Sequence, residues 1–205
     1  LAPGASAEIL DVLTMQGMIA HSRGEWFDRL RRELRLTGAS ADLARTVFDS
    51  HVCVSQYLLY GPTGHDEVVR LARELAASAE QLGRAHAVAF ASTLEGEAHL
   101  LQGDLEAARA CLESAVATYR ALGAETGLDH ALQRLAEVAL QEGDRAEAER
   151  LVSTALPLAR WSPLSAHLVQ RLHGTLIAAA PDPDAAARAA DDALVTVDDP
   201  ETCMF

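Results

Sequence analysis

The stretch LLQGDLEAARACLESAV, residues 100–116, returns forty positions later as LQEGDRAEAERLVSTAL, residues 140–156. In both copies a Gly-Asp pair is followed by small residues and then by apolar residues at three- and four-residue steps. A unit recurring at fixed spacing is the sequence sign of stacked supersecondary elements, so the period has to be read before any single element. The register runs on in both directions. Gly24, Gly64, Gly103 and Gly143 are separated by 40, 39 and 40 positions, and Pro181 follows 38 later. Seven positions before these markers stand Gly17, Tyr57, Gly96, Ala136 and Gly174. A second series keeps the same period, since QLGRAHAVAFA at 81–91 corresponds to ALGAETGLDHA at 121–131.

Each unit reads as two helices with a break at the marker. In GLDHALQRLAEVALQEG, residues 127–143, Leu128, Leu132, Leu135, Ala136, Ala139 and Leu140 fall on one helix face. The next helix is predicted to start at Asp144, whose carboxylate can accept the unpaired amide protons of a first turn, and to continue through Ala148, Leu151, Val152, Ala155 and Leu156. Ser40, Ser162 before Pro163, and Asp182 before Pro183 are further helix starts, with proline at the first helical position where its missing donor costs nothing. YGPTGHD, residues 60–66, reads as a loop. The expectation is an all-α chain of about ten helices in five pairs and one domain over 1–205, with units at 5–37, 40–82, 84–122, 124–160 and 162–197. Helix axes approach to about 8 Å only where side chains are small. Gly96 and Ala136 are therefore expected to face Ala108 and Ala148, with Leu112, Val152, Ala115 and Ala155 filling the layer between hairpins.

Composition narrows the function. The chain has 205 residues, 49% of them hydrophobic, and a net charge of −13. Such a charge repels a phosphate backbone, so direct nucleic-acid binding by this segment is not expected. No uncharged apolar run is long enough to span a membrane, and LAPGASAEIL lacks the basic and apolar blocks of a secretory signal, which places the chain in the cytoplasm. All 17 basic side chains are Arg, and neither Lys nor Asn occurs. Together with abundant Ala and Arg this points to a GC-rich genome, and it removes any P-loop, Schiff base or protein-kinase core, each of which needs a lysine. Leu1 is not an initiator Met and the chain stops after DDPETCMF, so a piece of a longer protein is expected.

The repeated positions resemble the tetratricopeptide repeat (TPR) family, whose signature has a small residue in the first helix, a Gly-Asp or Gly-Asn turn, then Ala, a large apolar residue and Ala in the second. Here these are Gly96, Gly103, Asp104, Ala108, Leu112 and Ala115 in one unit and Ala136, Gly143, Asp144, Ala148, Val152 and Ala155 in the next. The last unit is similar through Gly174, Asp182, Ala186, Ala190 and Ala193. The usual Trp and Tyr of the first helix are replaced by Ser92 and His99, or Leu132 and Ala139, and the period is near 40 instead of 34. The resemblance implies a right-handed α-solenoid. The long, aromatic-poor form resembles the helical arms of large bacterial transcriptional regulators of the LuxR-like, ATPase-containing type. In these the solenoid is a signalling arm for protein-protein interaction and sensing, while DNA contact and catalysis belong to other domains.

Repeat proteins of this kind usually bind along the wall formed by their first helices. His130, Gln133, Arg134, Glu137 and Gln141 make a polar stripe opposite the apolar one, and the same register elsewhere gives His51, Thr93, Glu97 and Arg171. A lining of imidazole, guanidinium and carboxylate groups suits the end of a peptide or a polar metabolite. The plainer reading of such a stripe is a solvated helix face with carboxylates paired to Arg, as in Arg134 with Glu137. The Lys and Asn of a chaperone-tail clamp are absent. No His-x₃-His, Cys-x₂-Cys, Gly-x-Ser-x-Gly, His-Glu-x-x-His or Gly-x-Gly-x-x-Gly occurs, and Cys53, Cys111 and Cys203 read as small core residues. The chain is thus expected to be no enzyme and to need no metal or cofactor. Its partners would be a protein, a peptide or a small effector, together with flanking domains of the same polypeptide. The competing expectation is a homodimer or assembly module, or a free-standing adaptor. RGEWFDRLRREL, residues 23–34, forms an amphipathic helix whose apolar side, with Trp26, Phe27, Leu30 and Leu34, needs a packing partner.

Overall fold

The computed structural model describes residues 58–61, 63–81, 83–159 and 166–195, together with single positions between 12 and 32. Among them are helices α1 (His65–Gln81), α2 (Ala85–Gln102), α3 (Leu105–Leu122), α4 (Glu125–Gln141), α5 (Arg145–Ala159), α6 (Ala166–Ala179) and α7 (Pro183–Val195), and no strand. Ser40, the Ser162-Pro163 start and most of the first two expected units lie outside the described residues.

The periodic residues are helix terminators and starters. Gly83, Gly103, Gly123 and Gly143 all have φ between +62° and +85°, the left-handed conformation that glycine enters without steric cost. Gly103 and Gly143 of one series and Gly83 and Gly123 of the other thus share a period because each ends a helix. Asp104, Asp144 and Asp182 then accept the amide protons of Ala107, Glu147 and Ala185 at 3.1, 3.0 and 2.8 Å, satisfying first-turn donors.

Two expectations are corrected here. Residues 60–66 are not all loop, because Tyr60 is helical and His65 and Asp66 already belong to α1. Gly64 shares the register of Gly103 but not its conformation. Its carbonyl accepts from Glu67 and Val68, so it occupies the helix-start position that Asp104 and Asp144 hold elsewhere.

The chain divides into two compact units, Leu1–Gly103 and Asp104–Phe205. In the first, α1 packs on α2. Val68, Val69, Ala72, Leu75 and Ala79 share a core with Ala87, Phe90, Ala91, Leu94 and Ala98, joined by Ala20, Leu58 and Leu59. The hairpin is tied at its rim by Gln102 Nε2 donating to Asp66 at 2.6 Å and by Arg73 paired with Glu95 at 2.7 Å.

In the second unit each helix from α3 to α7 packs on its sequence neighbour, and α4 also packs on α6. Connections as short as these make neighbouring helices antiparallel. Ala136 of α4 and Ala148, Val152 and Ala155 of α5 are fully buried, as the small-residue register requires for close approach. Gly96, Ala108, Leu112 and Ala115 are buried as well. Gly174 departs from the pattern. It is exposed and a Cβ there would meet nothing within 4 Å, so no helix approach depends on it.

The start of α4 is held by contacts that the repeat pattern does not show. Gly127 has φ +92°, and a Cβ built on it would lie 2.6 Å from Cζ of the buried Tyr119 on α3. Asp129, 3% exposed, accepts the amide protons of Gly127 and His130 at 3.0 and 2.8 Å. The tyrosine ring therefore lies where only a glycine backbone leaves room.

Candidate functional site

Helix α4 carries leucine and alanine on most of its buried circumference, and three polar side chains interrupt them. Gln133 and Arg134 are 0% and 2% exposed, so this part of the expected stripe is not a solvated face. The solvated-face reading holds only for Gln141, which is exposed, and His130 is half-buried.

Burial of a guanidinium is tolerated only with a close counter-charge. Arg134 Nη1 meets Glu137 Oε2 at 2.7 Å, one helical turn further on. The other carboxylate oxygen, Oε1, accepts from Gln133 Nε2 at 2.6 Å and lies 3.8 Å from Arg171 Nη2 on α6. Gln133 Nε2 also approaches Thr175 Oγ1 at 3.4 Å, and that hydroxyl donates to the Arg171 carbonyl at 2.9 Å. This environment fixes the Gln133 amide, because turning it over would set its oxygen against the carboxylate. Gln133 Oε1 is then buried with no hydrogen-bond partner.

The four side chains form a square across two helices. Gln133 and Arg171 stand 38 residues apart, as do Glu137 and Thr175. Each pair occupies one register position in consecutive repeats, which is why a polar residue on α4 finds a polar residue on α6. The side chains of Glu137 and Arg171 are 28% and 26% exposed, and they give the cluster its accessible edge.

The other expected site residues are placed differently. Thr93 and Glu97 are buried on α2 in the first unit. The Thr93 hydroxyl donates to the Ala89 carbonyl at 2.9 Å within its own helix. His51 lies outside the described residues. The sequence reading missed Thr175, although its distance from Glu137 was a usable signal, and Asp129, for which the repeat gave none.

The described residues contain no group of three or more His, Cys, Asp or Glu that could hold a metal ion. No described helix is long and apolar enough to cross a membrane. Two ion-pair groups on α3 and α5 lie nearer solvent. Arg109 of α3 pairs with Glu142 beyond α4 and with Glu113. These carboxylates, Glu142 first through its hydrogen bond, raise the arginine's proton affinity. Glu147 and Arg150 pair on α5.

No family model matches the chain, and no curated protein is significantly similar to it. Among the described residues the protein is all-helical, with neighbouring helices antiparallel within each unit. It carries a mixed-charge cluster shared by α4 and α6.

Proposed function

We propose that this chain is a TPR-like α-solenoid that serves as the ligand-binding and sensing arm of a larger cytoplasmic bacterial transcriptional regulator, and that it performs no catalysis itself. The observation that carries the reading is the Gln133–Glu137–Arg171–Thr175 square. It joins equivalent positions of two first helices and keeps a charged, partly exposed edge over a buried amide. The solenoid is supported by the packing of each helix in the second unit on its neighbour, with α4 also touching α6. A ligand bridging α4 and α6 would bias the angle between successive hairpins, and in a nearest-neighbour array that bias is passed along the chain. The partner is a protein, a peptide or a small effector.

The coding region beyond both ends, with a reporter for the controlled promoter, tests this reading. A helix-turn-helix in the same polypeptide, and loss of effector response in the full-length Glu137→Gln/Arg171→Gln variant at unchanged helicity, is the expected result. An unaltered response removes the square from the mechanism.

A second reading, self-association, is favoured by Val12, Met15 and Ile19, which are 54%, 60% and 49% exposed at helical spacing. Sedimentation at two concentrations tests it, and a strictly monomeric chain overturns it.

A further inference from the structure

We draw no further inference here: the strongest candidate, the exposed apolar face that Val12, Met15 and Ile19 present at helical spacing in the first unit, carries nothing beyond the self-association already read from it, because nothing among the described residues shows what covers it.

Discussion

Replacing Gly127 by Ala tests the account of how α4 is seated. The backbone there has φ +92°, and holding an L-residue in left-handed conformation costs about 1–2 kcal/mol. The new methyl would also lie 2.6 Å from Cζ and 2.8 Å from Cε1 and Oη of Tyr119, closer than carbon atoms pack. Tyr119 is only 2% exposed, so its ring can yield only by disturbing the core, and overpacking of this kind costs about 1–3 kcal/mol. The sum is about 2–5 kcal/mol, which for a chain of this length lowers the melting temperature by roughly 4–20 °C. A thermal melt followed by circular dichroism measures it. In a Tyr119→Leu background the clash disappears and the strain remains, so the same substitution should cost about 1–2 kcal/mol there. The reasoning is refuted if Gly127→Ala costs the same in both backgrounds, or leaves the parent melt unchanged.

Other substitutions probe the remaining links. Asp144→Ala removes the acceptor for the Glu147 amide and should destabilise by about 1 kcal/mol in a urea titration, with Asp144→Asn close to the parent. Glu137→Leu strips Arg134 of its 2.7 Å partner and should cost about 3 kcal/mol, whereas Arg134→Met with Glu137→Leu should cost less than Glu137→Leu alone; the reverse order would show that the pair does not act as a unit. The hydrogen bond from Arg150 holds the Glu147 carboxyl below the usual carboxylate range. A depressed folded-state pKa gives stability that is present above the usual range and lost as pH falls through the lowered value. Arg150→Gln should therefore cost a few tenths of a kcal/mol at pH near 7 and nothing in acid, read as the urea midpoint in the two buffers.

The repeat made much of the fold legible. Left-handed glycines and aspartate caps are chosen by local backbone geometry, so Gly103-Asp104 and Gly143-Asp144 mark helix boundaries by themselves. Alanines at Ala136 and Ala148 likewise announce close packing, because bulkier residues would push helices apart. Gly64 and Gly174 share the spacing without the role. A small residue permits a left-handed turn or a close approach but does not impose either, and only neighbouring atoms decide.

The site was legible in part. Spacing put Gln133, Arg134 and Glu137 on one face and assigned Arg171 to the same register, but periodicity cannot tell a solvated stripe from a buried one. That depends on what packs over the face. Burial of Arg134 is tolerated because Glu137 lies one turn away, and Gln133 is held by Thr175 from the next first helix, a contact between residues 42 positions apart. Asp129 and Gly127 lie outside the repeat signature because Gly127 meets Tyr119 where one unit passes to the next and Asp129 accepts backbone amides at the start of its own helix, local contacts that the forty-residue spacing does not encode.

The central claim is that the face shared by α4 and α6 receives a ligand. Hydrogen exchange of the whole chain, free and with binders selected from a random peptide library, tests it most directly. The account predicts added protection in α4 around Gln133–Glu137 and in α6 around Arg171–Thr175, diminished when Glu137→Gln and Arg171→Gln are introduced together. Binders that protect other helices and are indifferent to those substitutions would contradict it.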